Sequence, residues 1–306
     1  MMWLTDVRAG AWIAPRLSGW GRVGGVVPRG FEAYARILHP VEATRVEIFD
    51  AAGDELEYPS VIDTATWPWA EVARRTGRTM HPLVQWSGLV GSESHVTLDD
   101  GWRAQQPRTG FLDPELLASL SETLTRHTSA PDEVVFGVWV GWGEINGSRH
   151  ILYIAESENG PADVEAAIAE LQAESSASVS PLVTAVIDAE QAAQREGVQL
   201  HSVLELPGRE YVLASITVGE LTDPTWPRRA GMGWSDGFEG PMPQLIWPAD
   251  HAWFVASEID FDSTIVGGSR ALIDAVLAID ALETFEVSAD DDLSSLGDTI
   301  NAAPSA

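Results

Sequence analysis

Apolar and polar positions along the chain alternate in short runs or recur at helical spacing. Period-two alternation and apolar runs predict strands over residues 31–38, 44–49, 55–61, 134–143, 149–156, 198–206, 209–217, 252–260 and 284–287. Helical spacing with capping residues predicts helices over residues 68–77 (capped by Thr66), 113–127, 160–174, 180–195 and 269–279. Because the strands come in hairpins and the helices in clusters, the predicted fold class is α+β, with largely antiparallel sheets and about five helices packed on them.

The chain is predicted to consist of two halves and a tail. Residues 1–157 are interpreted as an N-terminal α+β half and residues 158–287 as a C-terminal α+β half, or the two together form one continuous domain. Residues 288–306 are acidic and poor in large apolar groups, which predicts a weakly ordered tail. Residues 219–250 are rich in Gly, Pro and Trp and predict a long loop, a kind of segment that is often functional.

The composition excludes several kinds of catalysis. All 18 basic residues are arginine, and the chain has no cysteine. Without lysine there is no Schiff-base chemistry and no P-loop phosphate clamp. Without cysteine there is no thiolate nucleophile and no zinc site built on sulfur. Carboxylate, histidine, serine and arginine chemistry remains.

The formal net charge of −28 restricts the partners of the chain. Residues 151–306 carry 27 acids and 5 arginines, a net charge of −22. Such a field repels nucleic acid and anionic lipid, so we expect no nucleic-acid or membrane partner, and it favours a basic protein. No apolar run reaches the roughly 20 residues that span a bilayer, and the first residues lack a signal peptide, which predicts a cytoplasmic location. The pattern does not predict an oligomeric state.

Three carboxylates stand out on the predicted strand 252–262. In an extended chain Glu258, Asp260 and Asp262 lie on one side, with neighbours about 7 Å apart. Such a row could bind a hard cation, Mg²⁺ or Ca²⁺, and no other cofactor is predicted. The row could equally be a solvated face, or could pair with buried arginine.

The string Asp260-Phe-Asp-Ser-Thr resembles the first motif of haloacid-dehalogenase-type phosphatases. That resemblance implies Asp260 as the nucleophile and Asp262 as the general acid. The chain departs from the pattern because a polar pair, Ser257 and Glu258, precedes the motif, because only 44 residues follow Asp262, and because no lysine is available. We therefore do not assign this chemistry.

Two places are candidates for binding an anion. Ser269 and Arg270 open the helix predicted over 269–279, and the free amides at a helix start can bind an anion. The simpler interpretation of Ser269 is a helix N-cap. Arg228 belongs to a locally basic pair in the acidic part of the chain and could hold an acidic ligand or cover an internal carboxylate.

Four segments carry a resemblance that covers most of the chain, from about residue 12 to residue 287. Residues 28–40, 81–83, 138–143 and 252–269 together resemble a family of uncharacterised proteins from GC-rich bacteria. No activity is associated with that family, so the resemblance assigns no functional residue.

Three functional hypotheses follow. The first is a non-catalytic acidic protein that binds a basic protein, as an immunity protein binds a toxin, or a small ligand. The second is a metal-dependent hydrolase that uses Glu258, Asp260 and Asp262, with Arg270 or Arg228 holding an anionic substrate. The third is a carbohydrate-active protein, because the chain has 13 Trp residues and sugar rings stack on indole faces.

Overall fold

The described part of the chain contains 13 strands, from 3 to 13 residues long. A computed structural model describes residues 1–49, 55–91, 94–146, 202–236 and 238–301, together with residue 185. The described strands are β1 (Met2–Leu4), β2 (Ala33–Leu38), β3 (Val41–Phe49), β4 (Glu55–Trp67), β5 (His95–Thr97), β6 (Trp102–Gln105), β7 (Val134–Trp139), β8 (Leu204–Leu206), β9 (Arg209–Ile216), β10 (Leu245–Pro248), β11 (Phe254–Ala256), β12 (Ser263–Gly268) and β13 (Thr284–Val287).

The helices are also short. Those within the described ranges are α1 (Val23–Val26), α2 (Trp69–Thr76), α3 (Trp86–Val90), α4 (Pro114–Leu124), α5 (Gly143–Asn146), α6 (Val218–Leu221) and α7 (Arg270–Leu277). Every strand pairing with a resolved register is antiparallel in the described part of the chain. The α+β class with largely antiparallel sheets is therefore confirmed.

The chain folds into two compact units that are interleaved along the sequence. Unit 1 comprises Met1–Arg16 and Asp113–Phe254, and unit 2 comprises Leu17–Leu112 and Val255–Ala306. Each unit is thus assembled from two separate stretches of chain. The boundary predicted between residues 157 and 158 lies outside the described residues.

Unit 1 is built on the sheet β8, β9, β7 and β10, with β1 also pairing with β9. The hairpin of β8 and β9 turns at Pro207-Gly208, as predicted, and Gly208 adopts a φ of +78° that favours glycine. Buried aromatic rings form its core, since Phe136 lies 5.8 Å from Trp3 and 5.5 Å from Trp226. The predicted helix 113–127 is confirmed as α4 followed by a 3₁₀ turn.

Unit 2 contains one sheet in which β2 pairs with both β12 and β13. Strand β2 is buried along its whole length, and α7 packs against β2, β12 and β13. The helix predicted over 269–279 is confirmed as α7, and the Ser269 side chain caps it by accepting from the Leu272 amide. The antiparallel register of β12 and β2 places Ser263, at the start of β12, opposite Leu38, at the end of β2.

The second sheet of unit 2 has the order β4, β3, β6 and β5. A tryptophan-rich core lies with it, in which Trp69 and Trp86 meet edge to face at 5.8 Å. Helix α2 ends at Gly77, as predicted. The predicted N-cap Thr66 is wrong, because β4 continues to Trp67 and the Glu283 carboxylate accepts the first amides of α2 instead.

The remaining predicted segments are a strand, two helices, a long loop and a C-terminal tail. The strand 149–156 and the helices 160–174 and 180–195 lie outside the described residues. The loop predicted over 219–250 holds the end of α6, a 3₁₀ turn and β10. The segment interpreted as a weakly ordered tail is described up to residue 301, and it contains buried residues: Leu293, Asp298 and Asn301 are each at most 5% exposed.

Candidate functional site

Residues 252–262 do not form the single predicted strand. Strand β11 ends at Ala256, and a turn follows in which the Phe261 amide donates to the Glu258 carbonyl at 3.0 Å. The Glu258 carboxylate accepts from the Asp260 amide at 2.6 Å, a local hydrogen bond that stabilises the turn in competition with an extended strand. The predicted single-sided row of Glu258, Asp260 and Asp262 is therefore wrong, and the metal hypothesis loses the geometry on which it depended.

The turn directs the acids into different surroundings. Asp260 is exposed, Glu258 is half-buried, and the Asp262 side chain is only 18% exposed. Gly110 holds the turn in place, because its amide donates to the Phe261 carbonyl and its Cα approaches the backbone of Ile259 closely. Among the described residues, no three His, Asp or Glu side chains lie close enough together to hold a metal ion.

Asp262 faces a buried arginine, as one of the sequence-based alternatives expected. Arg36 on β2 is 1% exposed, and its Nη2 lies 3.4 Å from Asp262 Oδ1. The other guanidinium bonds are shorter: Nε donates to Ser263 Oγ at 2.9 Å, and Nη1 to the carbonyls of Val84 at 2.8 Å and Pro82 at 3.1 Å. Burial raises the pKa of the Asp262 carboxyl, while the charge of Arg36 opposes that rise.

A second group of buried polar side chains is centred on Thr264, two residues after Asp262 in the sequence. Ser257 Oγ lies 2.6 Å from Thr264 Oγ1, which lies 2.8 Å from His39 Nε2. His39 Nδ1 lies 2.7 Å from the Arg108 carbonyl, an acceptor, so Nδ1 carries the proton and Nε2 accepts from Thr264. Burial lowers the pKa of His39 to about 4, and the imidazole is neutral at pH 7.

This chain of hydroxyls and imidazole was not predicted. The sequence gives no signal for it, because Ser257 and Thr264 are more than 200 residues away from His39 along the chain. Ser257, Thr264 and His39 are each at most 2% exposed. The group resembles a nucleophile with its base in chemistry, but it is closed to solvent and holds β11, β12 and the end of β2 together.

The C-terminal segment of unit 2 is anchored by a buried carboxylate. Asp298 accepts hydrogen bonds from the amides of Gln85, Ile300 and Asn301 at 2.8–3.1 Å. Its Oδ1 also lies 2.9 Å from His81 Nε2, and hydrogen bonding outweighs burial, so the pKa of Asp298 is lowered. This cluster ties residues 298–301 to the segment before Trp86, and the Leu293 amide donates to the Gly21 carbonyl at 2.7 Å.

A pocket of about 260 Å³ opens in unit 2 where these segments meet. Its lining combines aromatic rings, amides, hydroxyls and two of the predicted carboxylates: Trp20, Gln85, Trp86, Ser87, Gln106, Thr109, Asp260, Phe261, Asp262, Leu293, Ser294 and Ser295. The structure therefore brings Asp260 and Asp262 to one cavity, whereas Glu258 stabilises the adjacent turn.

Two tryptophans line the pocket, one exposed and one buried. Trp20 is 68% exposed, and its ring centroid lies 5.8 Å from that of Phe261. Trp86 is 3% exposed, and its indole N–H has no hydrogen-bond partner among the described residues. Trp20 lies in a Gly-rich segment with no apolar periodicity, which was the signal in the sequence that its ring has no core position to fill.

The predicted anion sites already contain carboxylates of the chain itself. At the start of α7, the Arg270 amide donates to Glu32 Oε2 at 2.8 Å, and Ser269 caps the helix. The Arg270 guanidinium pairs with Asp274 and Glu286. Arg228, in unit 1, pairs with Asp236 at 2.6 Å. These exposed pairs satisfy the arginines locally.

Comparisons with protein families, with curated proteins and with solved structures find no match to this chain. The resemblance to a family from GC-rich bacteria stays a prediction. No helix in the described ranges is long and apolar enough to span a bilayer. The pocket of unit 2 is therefore the feature of the chain that supports a proposed function.

Proposed function

We propose that this protein binds a small polar ligand in the pocket of unit 2 and releases it unchanged. The observation that carries the proposal is the placement of Trp20, 68% exposed, at the same cavity as Asp260 and Asp262. Exposed aromatic rings beside a few polar groups are typical of ligand sites, because the ring offers contact area while the polar groups select the ligand.

The size and the lining of the pocket support a small ligand. A volume of about 260 Å³ lies just below the common range for ligand pockets, roughly 300–1,000 Å³. Gln85, Gln106 and Thr109 add amide and hydroxyl groups that can both donate and accept hydrogen bonds. A ligand with several polar atoms would therefore find partners on more than one side.

The burial of the reactive-looking groups supports binding without catalysis. Ser257, Thr264 and His39 form a hydroxyl–imidazole chain, but none lines the pocket and all are inaccessible to a ligand. Asp262 is held by Arg36, which fixes its position. These groups stabilise the wall of the pocket, and the exposed Trp20 ring remains available to a ligand.

The proposal is tested by ¹⁹F NMR on protein labelled with 5-fluorotryptophan. Comparison with a Trp20→Phe variant assigns the Trp20 resonance among those of the 13 tryptophans. We expect ligands from a library of small polar compounds to shift the Trp20 resonance and to leave that of Trp253, fully buried in unit 1, unchanged. Bound compounds should be recovered intact after incubation.

Two results would contradict the proposal. If no compound of the library shifts the Trp20 resonance, the pocket is not a ligand site. If a compound binds and is converted, the protein is an enzyme, and the carbohydrate-active hypothesis gains support when that compound is a saccharide. The prediction of a basic protein partner is independent of this site and stays a prediction.

A further inference from the structure

We infer that the ligand of the unit 2 pocket is a neutral saccharide, bound as a pyranose ring with its C–H face against Trp20. The inference rests on the proposed function, and it adds the chemical class of the ligand. Three observations carry it: the predominance of polar side chains in the lining, the neutral hydrogen-bonding groups that the described part of the chain leaves without a partner, and the exposed indole face.

The lining of this pocket differs from that of an ordinary ligand site. Eight of its 12 residues have a polar or charged side chain, and the others are Trp20, Trp86, Phe261 and Leu293. Most small-molecule pockets are lined predominantly by apolar side chains, with only a few polar groups. The ligand of this pocket therefore needs polar atoms around most of its perimeter and one apolar face. A polyhydroxylated ring meets this requirement, whereas a flat aromatic heterocycle would leave polar groups of the lining unpaired.

Neutral side chains supply hydrogen-bonding groups for such a ligand. Ser87, Gln106 and Thr109 line the pocket, and their side chains have no hydrogen-bond partner among the described residues. Hydroxyl and amide groups both donate and accept, as the hydroxyls of a sugar do. Each sugar hydroxyl can therefore pair with any of these side chains, whichever way its own hydrogen points.

The charged groups at the pocket do not call for a charged ligand. Asp262 is paired with Arg36, and Asp260 has an interaction of its own. Within the described ranges, no arginine or histidine lines the pocket, so no side-chain cation is in place to pair with a phosphate or a carboxylate. These surroundings favour an uncharged sugar over a sugar phosphate or a sugar acid.

Trp20 provides the apolar contact. Its ring is 68% exposed, and Phe261, at 5.8 Å between centroids and a tilt of 31°, covers only part of it. The Leu293 amide donates to the Gly21 carbonyl at 2.7 Å, which holds the backbone next to Trp20 in place. The face of an indole is the negative region of its quadrupole, and the C–H groups on one face of a sugar ring present positive hydrogens to it. A ring that is already held loses little conformational freedom when the ligand binds.

Compounds that differ in one feature at a time test this inference by ¹⁹F NMR titration of the Trp20 resonance. Methyl β-glucoside, methyl β-galactoside and methyl α-mannoside are neutral sugar rings, D-glucitol is an open-chain polyol, and tetrahydropyran-2-methanol is a ring with a single hydroxyl. We expect at least one glycoside to bind at millimolar concentration and to be recovered intact. It should bind at least about tenfold more tightly than the polyol, which must be ordered, or the ether, which lacks most hydroxyls.

The salt dependence tests the neutrality of the ligand. Raising NaCl from about 0.02 M to about 0.5 M should leave the affinity for the glycoside unchanged, because screening acts only on interactions between charges. An affinity that depends on salt would show that charge contributes to recognition, and it would overturn this part of the inference.

Variants locate the interaction. Trp20→Ala should weaken the glycoside by about tenfold, because the stacking face is lost, and this variant is followed by saturation transfer to the glycoside methyl group. Thr109→Val should weaken it by about fivefold, because valine has a similar shape but no hydroxyl. Thr64→Val is the matched control, since Thr64 is an exposed threonine of unit 2 that does not line the pocket. Equal affinities of the Thr109→Val and Thr64→Val proteins would contradict recognition through the hydroxyl.

The outcomes separate this inference from the proposed function. If D-glucitol or tetrahydropyran-2-methanol binds as tightly as the best glycoside, the sugar ring is refuted while ligand binding at the pocket stands. If adenosine or 5-amino-1-pentanol shifts the Trp20 resonance and no glycoside does, the ligand belongs to another class, and again only the inference fails. If a broader library also leaves Trp20 unshifted, both are refuted.

Discussion

Lowering the pH should destabilise unit 2 through a single buried imidazole. His39 is 1% exposed, donates from Nδ1 to the Arg108 carbonyl and accepts at Nε2 from Thr264. Protonation would place a second N–H opposite the Thr264 hydroxyl and a charge in an apolar interior near Arg36. The native state therefore resists taking up a proton that the unfolded chain accepts readily.

The magnitude follows from the difference in pKa between the two states. The pKa of His39 is about 4 in the folded protein, against 6.5 for the unperturbed side chain. Because the folded pKa is lower, stability is complete above pH 6.5 and is lost as the pH falls from 6.5 towards 4. Proton linkage with these values gives a loss of about 2 kcal/mol in the free energy of unfolding between pH 7 and pH 5.

A variant isolates this contribution from those of the many carboxylates. His39→Asn keeps a donor for the Arg108 carbonyl but does not titrate in this range. It should be less stable than the natural protein at pH 7, and the difference should shrink by about 2 kcal/mol at pH 5. Urea unfolding is followed by the ¹⁹F signal of Trp69, whose indole N–H donates to the His39 carbonyl at 2.8 Å and so reports on unit 2.

Parallel stability curves for the two proteins from pH 7 to pH 5 would refute the reasoning. They would mean that His39 titrates alike in the folded and the unfolded chain. An independent measurement is the ¹⁵N spectrum of His39, which should show the Nδ1–H tautomer down to about pH 5. A protonated ring at pH 6 would contradict the argument from burial.

Three further predictions concern the wall of the pocket. Gly110→Ala should lower the melting midpoint more than Gly77→Ala does. Both glycines have φ near +65 to +70°, but only at Gly110 would the new Cβ lie 2.7 Å from Ile259 Cα. Equal shifts of the two midpoints would contradict this close approach. Arg36→Met should lower the free energy of unfolding, measured in urea, by about 3–5 kcal/mol, because the Asp262 carboxylate is left buried without its cation. Adding Asp262→Leu to this variant should recover part of the lost stability. If it recovers none, the guanidinium stabilises the fold through its backbone hydrogen bonds alone. Mg²⁺ or Ca²⁺ at about 10 mM should leave the melting midpoint unchanged, and a rise would indicate that the acids do bind a metal.

Local signals in the sequence predicted local structure well. Helices α4 and α7 follow from apolar spacing together with Pro114 and Ser269 at their starts, and the β8–β9 hairpin follows from Pro207-Gly208. Such signals operate within a few residues, so no distant partner is needed to interpret them. The pairing of β2 with β12 could not be predicted from the sequence, because the alternation in a strand does not specify which strand lies beside it.

The candidate site was predicted only in part. Asp260 and Asp262, two of the candidate ligand residues, both line one cavity, but a turn rather than the predicted strand brings them there. The alternation that predicted the strand is equally compatible with a turn once Glu258 binds the Asp260 amide. Trp20 and Trp86 could not be assigned to the pocket, because long-range strand pairing and the Asp298 cluster bring their segments together.

The interleaving of the two units sets an order in which the chain can fold during synthesis. His39 and its partner Thr264 are 225 residues apart, so β2 leaves the ribosome long before β12 exists. At about 5–20 residues per second, the wait is roughly 10–45 s. Throughout that interval β2 exposes a largely apolar strand with open edges, which makes the nascent chain a client for chaperones that shield β-strands from aggregation.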